Sequence, residues 1–330
     1  MIGMADDGLG RSVGRALGAG ALVALLAGCA AGPVEDDQSP TPAPSATVVD
    51  DGLPDDAVRL VDGYDYGDRY ADGILPVGDE HWSLQAPAVG TVFLCRDNFI
   101  PDGQAGAQNR GPWFINGNTE WDITQKPAVQ GAVNWEPQLS ISVAGGIRTL
   151  TTNDLPEHPT GEFPVSESDP VKVYDRNPNS ISEQHLEYRL TAQPAYGEPQ
   201  CMGGESGVML TGVALFNAFD AGGRDAGAWE VQDDCEGHPQ NTGEYHYHTL
   251  SSCIQDIGVD TVIGFALDGF PITGPTVAEG NRLTTADLDA CHGIVSEYTL
   301  DGETVTGYHY VMTQDFPYSV SCFRSQPTRP

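Results

Sequence analysis

Glycine and proline are so frequent in this chain that long helices cannot account for its fold. The sequence has 40 glycines and 24 prolines. Proline removes a helical hydrogen bond, and glycine in a helix interior carries a high entropic cost. Between these residues lie short apolar or alternating runs bounded by Gly, Pro, Asp and Asn, a pattern typical of strands and turns. The sequence therefore predicts a mainly β fold, a sandwich or barrel-like arrangement of many short strands with one or two short helices.

Several segments carry the strand pattern clearly enough to be placed. We expect strands at Thr91–Cys95, Leu139–Val143, Leu186–Thr191, Gly207–Phe216 and Thr261–Leu267. A hairpin is predicted where Asp301-Gly302 separates Glu297–Leu300 from Glu303–Met312, because Asp-Gly favours a tight two-residue turn. Short helices are predicted at Thr284–Cys291, which begins with a threonine cap, and at Asp225–Asp234.

The N-terminus resembles a bacterial lipoprotein signal. Arg11 and Arg15 precede the apolar run ALGAGALVALLAG, which ends at Cys29. This run is shorter than the ~20 apolar residues that span a bilayer, and its order of basic, apolar and small residues is that of a secretory signal. The letters LAGC at its end resemble a lipobox, in which the cysteine is lipidated; the alternative is an ordinary signal peptide. We predict a lipoprotein signal peptide at residues 1–29, lipidation at Cys29, and anchoring to the cell membrane on its extracytoplasmic side.

The rest of the chain divides by composition. Residues 30–58 are rich in Pro, Ser, Thr, Ala and Asp with few bulky apolar side chains, which predicts a disordered tether because little surface can be buried. Residues 59–330 are predicted to form a single extracytoplasmic domain. The net charge of −32 repels nucleic acid and anionic lipid. We therefore expect no nucleic-acid partner and membrane contact only through the lipid; protein partners stay unknown.

Six cysteines remain once Cys29 is set aside, and an even number in an exported chain indicates disulfide bonds. Proximity in the sequence favours Cys235–Cys253 and Cys291–Cys322, which leaves Cys95–Cys201, with other pairings still open. None of these cysteines has CxxC spacing, which argues against a thiolate zinc site.

The segment GEYHYHT at residues 243–249 is the main candidate for chemistry. Side chains two residues apart on a strand share a face about 6.6 Å apart, so His246 and His248 would stand together. Two imidazoles at this spacing suit one zinc or copper ion. We predict both as metal ligands, with Tyr245 and Tyr247 packed into the core. The alternative is that these histidines are structural residues, hydrogen-bonded to backbone or solvent.

Two further ligands have to come from elsewhere in the chain. His309 lies in YHYVMT at 308–313, which echoes YHYHT, and His238 lies eight residues before His246. Both are predicted to complete the site. Asp268 is predicted as a carboxylate that orients an imidazole or acts as a base, and Glu244 as an alternative base. The remaining histidines are predicted to have surface or capping roles: His81, His158, His185 and His292.

The sequence gives little indication of a calcium site, an α/β-hydrolase or a nucleotide-binding site. The acidic run at residues 62–68 is better interpreted as a solvated loop than as a calcium site, because it lacks EF-hand spacing and a closing glutamate. No GxSxG elbow, P-loop or GxGxxG occurs, which removes the usual signs of an α/β-hydrolase serine or a nucleotide site.

Three separate blocks, in order, resemble the YHYH-domain family of exported bacterial proteins. They are GEYHYHTLSSCI at 243–254, VIGFALDGFPITGP at 262–275 and GYHYVMTQDFPYSVSCFR at 307–324. The resemblance spans about residues 90–324. The chain departs from the family pattern at Thr273, where an aromatic residue is usual. The resemblance implies an exported domain organised around the YHYH block, in a family without a settled activity.

These features lead to three hypotheses. The first is a lipid-anchored envelope protein that binds copper or zinc through clustered histidines. The second is a surface hydrolase that uses a metal or a His–Asp pair to activate water. The third is a structural or adhesive module without metal. The sequence does not decide whether the protein is an enzyme.

Overall fold

The computed structural model describes residues 53–54, 57–101, 106–254 and 257–328. The predicted signal peptide, the lipidation site at Cys29 and nearly all of the predicted tether lie outside these residues. In the described part of the chain, no helix combines the length and apolar character needed to cross a membrane.

The prediction of a mainly β fold with many short strands is confirmed. The described strands are β1 (Ile74–Pro76), β2 (Trp82–Ser83), β3 (Val92–Phe93), β4 (Phe114–Ile115), β5 (Glu120–Asp122), β6 (Leu139–Ala144), β7 (Ile147–Thr152), β8 (Leu186–Thr191), β9 (Glu205–Met209), β10 (Ala214–Phe216), β11 (Gly237–Pro239), β12 (Tyr245–Tyr247), β13 (Val262–Ala266), β14 (Pro271–Thr273), β15 (Thr276–Ala278), β16 (Asn281–Arg282), β17 (Gly293–Leu300) and β18 (Glu303–Val311). The helical elements are α1 (Ala226–Trp229) and the 3₁₀ helices Asn116–Asn118, Pro170–Val173 and Thr285–Asp287.

Turn residues explain where the elements differ from the prediction. The strand predicted at Gly207–Phe216 is split into β9 and β10, because Gly212 has φ +87° and its N–H donates to the Met209 carbonyl. Gly212 makes the turn because glycine adopts positive φ without a steric cost. The terminal hairpin forms as predicted between β17 and β18, with Asp301 and Gly302 both at positive φ.

The two predicted helices are much shorter than the sequence suggested. Asp225 caps α1 by accepting a hydrogen bond from the Ala228 N–H, but the helix ends after four residues. At Thr284–Cys291 only one 3₁₀ turn forms. Its end follows from Asp289, whose carboxylate accepts the N–H groups of Cys291 and Gly293. A side chain that takes backbone donors in this way competes with the helix.

The largest sheet has eight strands in the order β11-β12-β10-β9-β13-β14-β18-β17. The described residues also form four smaller sheets: β1-β5-β4, β6-β7-β8, β2-β3 and β15-β16. The large sheet consists of two units of four strands each, and the strand order of one unit is the reverse of the other. The units meet where β9 pairs antiparallel with β13. We call β9, β10, β11 and β12 the first unit, and β13, β14, β17 and β18 the second unit.

The two units share topology and register. In each, the first two strands are antiparallel, the last two are antiparallel, and the second strand runs parallel to the fourth. In each, an aspartate accepts hydrogen bonds from two backbone N–H groups and from a strand tyrosine hydroxyl. The echo between YHYHT and YHYVMT is therefore one part of a repeated structure. The equivalent residues are Asp233 and Asp289, Cys235 and Cys291, Gly237 and Gly293, Tyr245 and Tyr308, His246 and His309, and Tyr247 and Tyr310.

Three disulfides hold this architecture together: Cys95–Cys201, Cys235–Cys253 and Cys291–Cys322. These are the pairs that sequence proximity favours. Each unit of the sheet carries one of the two short-range bonds, just before its third strand. The third bond joins segments 106 residues apart. The strand tyrosines Tyr245, Tyr247 and Tyr310 are buried in the core with their hydroxyls bonded, as predicted.

Candidate metal centre

Three histidines from two adjacent strands converge at one point. His238 on β11 is the register partner of His246 on β12, and His248 follows directly after β12. One ligand atom from each of the three lies within 4.8 Å of the others. The Nε2 atoms of His246 and His248 are 3.1 Å apart. All three side chains are buried, so the tertiary structure brings together imidazoles that the i, i+2 spacing alone only places on one face.

Contacts behind each ring set its orientation. The Nδ1 of His248 lies 2.5 Å from the Asn217 carbonyl oxygen, and that of His246 lies 3.3 Å from the Glu244 carbonyl oxygen. A ring that donates from Nδ1 to a carbonyl leaves the lone pair on Nε2 free for a metal. Phe216 on β10 stacks on His246 with ring centroids 4.2 Å apart and fixes the plane of that ring. His246 and His248 are thus held with Nε2 toward the common centre.

His238 is oriented differently. The Asn177 side-chain amide lies 3.3 Å from its Nδ1 and also bonds the Pro239 carbonyl. An amide N–H can only donate, so in the neutral ring the proton sits on Nε2. Binding of a metal by this Nε2 would require the proton to move to Nδ1.

A carboxylate that the sequence did not suggest completes the cluster. The Oε2 of Glu230 lies 3.3 Å from the Nε2 of His238 and 3.4 Å from that of His248. Glu230 follows α1 directly, and the capping of that helix by Asp225 places it there. The sequence shows no sign that Glu230 could be a metal ligand, because it lies eight residues before His238 and follows a different element, α1.

The charge states show that these contacts are not salt bridges. Burial, with the neighbouring imidazoles, holds the pKa of His238 well below 6.5, and burial does the same for His246. Burial lowers the pKa of His248 to about 4. Burial, reinforced by Asp220 and Asp175, raises the pKa of Glu230 well above 4.5. Without a cation, the cluster is therefore a set of neutral rings beside a carboxyl group whose charged form is disfavoured by burial.

Two buried polar atoms in this cluster lack a hydrogen-bond partner: Oε2 of Glu230 and Nε2 of His238. Their mutual distance of 3.3 Å comes without the geometry of a hydrogen bond. A buried polar group without a partner costs on the order of 1–3 kcal/mol. A cation at the centre would use both atoms together with the two other Nε2 lone pairs. The donor set of three imidazoles and one carboxylate therefore fits a transition metal.

The cluster lies at the wall of an open cleft of about 970 Å³. Glu230 and the three histidines line it, together with Phe216. The segments around residues 94–100, 175–179 and 201–205 also line it. A metal in this centre would therefore be reachable by a small molecule.

The structure places His309 away from this cluster. It occupies the position in the second unit that His246 has in the first. Its Nδ1 lies 3.0 Å from the Thr273 hydroxyl and its Nε2 lies 2.8 Å from the Ser296 hydroxyl. Thr273, which departs from the aromatic of the family pattern, stands where the first unit has Phe216. Both nitrogens of His309 are therefore engaged, and it supplies no ligand to the three histidines.

The two predicted carboxylates also have other contacts. Asp268 accepts hydrogen bonds from the Tyr310 hydroxyl and from backbone N–H groups, among them those of Arg324 and Ser325. The Glu244 side chain accepts from the Gln240 amide, and only its backbone carbonyl contacts His246. Neither carboxylate orients an imidazole of the cluster through its side chain.

The remaining histidines separate into two groups. His81 and His185 are exposed, as predicted. The prediction for His292 is a surface or capping role; it is buried and bonds the Thr313 hydroxyl, so the surface alternative is wrong. His158 bonds the Tyr247 hydroxyl and lies near Cys235 and Cys253, whose sulfurs are joined in a disulfide.

The second unit shows what the fold requires at the cluster positions. By the strand register, Ile294 is equivalent to His238 and Val311 to His248. Both are buried apolar residues in the core. The same backbone geometry is therefore built without histidine at these two positions, and the histidines of the first unit are not demanded by folding.

A comparison with models of protein families finds a match, and it covers the part of the chain that contains the histidine cluster. The model described as YHYH protein matches residues 187–282. This match confirms the resemblance to the YHYH family for that part of the chain. The match contains the first unit, Glu230 and all three clustered histidines, and it ends before His309. It is shorter than the span of about 90–324 over which the sequence blocks resemble the family. No curated protein and no solved structure matches the chain.

Proposed function

We propose that this YHYH protein binds one transition-metal ion through His238, His246 and His248, with Glu230 as a further ligand. The observation that carries the proposal is the convergence of these side chains around two buried polar atoms that lack a partner. A structural role alone would leave the histidines bonded to separate neighbours, as it does for His309.

Copper and zinc are the metals that this donor set favours. Three neutral imidazoles with one carboxylate supply borderline nitrogen ligands and one oxygen, and burial already holds the rings in the neutral form that binds metal. A proton on the Glu230 carboxyl group would leave as the metal enters, whereas the Nε2 proton of His238 would move to Nδ1 so that the ring stays neutral. The N-terminal sequence supports a placement of this site outside the cytoplasm, on a lipid-anchored domain tethered by residues 30–58. The three disulfides fit an oxidising compartment.

A second candidate function is a metal-dependent hydrolase. The open cleft beside the centre favours it, because a substrate could reach a coordination position that the protein leaves free. Four protein donors favour binding or storage over catalysis. The number of ligands that the chain itself provides therefore separates the two functions.

Metal content tests the proposal. The full chain is produced without a histidine tag, and bound copper and zinc are measured by mass spectrometry and by competition with a chelator. We expect one metal per chain in the unaltered protein and none in the His246→Ala/His248→Ala variant. Glu230→Gln keeps the shape of the side chain and should weaken affinity at least about tenfold, by analogy with the loss of groups that support metal ligands.

His185→Ala is the matched control, since His185 is exposed and lies outside the cluster. It should bind metal like the unaltered protein. Sub-stoichiometric copper and zinc that do not change in the double variant would contradict the proposal.

A further inference from the structure

The cleft beside the histidine cluster has an unusual balance of charge for so acidic a protein. Its carboxylates are already engaged. Asp220 pairs with Arg224, Asp175 accepts backbone N–H groups, and Glu205 accepts the Tyr188 hydroxyl. Glu230 belongs to the histidine cluster, where it is a proposed ligand of the metal. The Asp220 charge is balanced by Arg224, and hydrogen bonds occupy oxygens of the Asp175 and Glu205 carboxylates.

Two arginines line the same cleft: Arg96 and Arg176. Both are exposed, and neither has a carboxylate partner among the residues that the structure describes. Most other arginines are paired, as Arg69 is with Asp287 and Arg324 with Asp289. A cleft with unpaired guanidinium groups and low-dielectric walls concentrates anions even when the whole protein is negative.

We propose that this cleft binds a small organic oxyanion, a carboxylate or a phosphate, whose charged group is held by Arg96 and Arg176 while the molecule extends toward the metal. A guanidinium group matches the geometry of both oxyanions through two parallel N–H donors. The cleft is also lined by the rings of Phe99 and Phe216 and by the amides of Asn98 and Asn241. This combination suits a ligand with an uncharged body and one anionic end.

The inference rests on the proposed metal site, because the metal is the second point of attachment. It also identifies the arginines as residues of ligand specificity rather than metal ligands. Their loss should weaken anion binding and leave metal affinity unchanged.

Calorimetric titration of the zinc-loaded full chain with inorganic phosphate and, separately, with succinate tests this. We expect saturable binding of at least one of the two at one molecule per chain, and the preferred one identifies the ligand class. The Arg96→Gln/Arg176→Gln variant should bind that anion at least tenfold more weakly and hold the same amount of zinc. Arg189→Gln is the control, since Arg189 is exposed on β8 and outside the cleft.

Zinc binding without saturable binding of either anion, or anion binding that the double variant keeps, would overturn the inference and leave the metal site standing. Failure of the unaltered chain to bind any metal overturns the proposed function, and the inference falls with it.

Discussion

At the scale of single residues, the centre depends on which nitrogen of each imidazole is engaged by the protein. The carbonyl oxygens of Asn217 and Glu244 lie within reach of Nδ1 of His248 and His246, and their Nε2 atoms meet 3.1 Å apart. His309 has the same sequence context as His246, but Thr273 and Ser296 bond both of its nitrogens. The difference between a ligand and a structural histidine here lies in the neighbours rather than in the histidine itself.

His292 leads to a prediction about pH. Burial lowers the pKa of His292 to about 3, against 6.5 for an exposed histidine. The native state therefore binds fewer protons at this site than the unfolded state between about pH 3 and 6.5. Stability contributed by the neutral ring is present above pH 6.5 and is lost as pH falls toward 3. Each pH unit in this window costs about 1.4 kcal/mol.

The His292→Asn variant tests this, because asparagine tolerates the positive φ of +74° found at this position. Between pH 6.5 and pH 4, the free energy of unfolding of the metal-free protein should fall in both proteins. We expect the fall to be about 3 kcal/mol smaller in the variant than in the unaltered protein. Urea titrations across this range measure it, with His185→Asn as an exposed control. Parallel pH profiles of the variant and the unaltered protein would contradict the prediction.

At the scale of elements, the repeated unit explains how the cluster is positioned. In the first unit, β11 and β12 lie so close that a Cβ atom on Gly237 would sit 2.1 Å from the Tyr245 ring. The second unit repeats this contact, since a Cβ on Gly293 would sit 2.1 Å from the Tyr308 hydroxyl. Glycine is needed at both positions for the tyrosine to pack over the third strand. The same contact holds His238 opposite His246 in the first unit.

This equivalence gives a matched pair of substitutions. Gly237→Ala and Gly293→Ala should each lower the free energy of unfolding by about 1–3 kcal/mol, because the added methyl group forces the tyrosine to move. Only Gly237→Ala should also weaken metal binding, since only the first unit carries the cluster. Thermal unfolding and chelator competition measure the two effects. Equal loss of metal affinity in both variants would show that the cluster depends on general stability rather than on the β11–β12 contact.

At the scale of the whole molecule, the long-range disulfide has the largest expected effect on stability. Cys95–Cys201 closes a loop with a sequence separation of 106, against 18 for Cys235–Cys253. In the chain-entropy description, a longer loop restricts the unfolded state more. Replacing both cysteines of Cys95–Cys201 by alanine should lower the free energy of unfolding by about 1.5 kcal/mol more than the same replacement at Cys235–Cys253. Denaturant unfolding of the two double variants measures this difference, and a larger cost for the short loop would contradict it.

Much of the architecture was predictable because it follows from local chemistry. The density of glycine and proline excludes long helices, and the Asp301-Gly302 turn and the strand at Leu186–Thr191 occur as expected. The helix at Thr284–Cys291 was overestimated because the Asp289 side chain takes the N–H groups of Cys291 and Gly293. A capping residue in the sequence indicates where a helix begins. Hydrogen bonds from a side chain to backbone N–H groups, which end the helix here, cannot be predicted from the spacing of apolar residues.

By itself, the sequence determined a β-rich chain with paired cysteines and placed His246 and His248 on one face of a strand, because backbone alternation is a local property. Only the tertiary structure decided which groups join them. The pairing of β11 with β12 brings His238 opposite His246, and the end of α1 brings Glu230 to both, whereas the large sheet carries His309 into the second unit. Local spacing defines a face, but a ligand set is completed by residues that meet through strand pairing and helix capping.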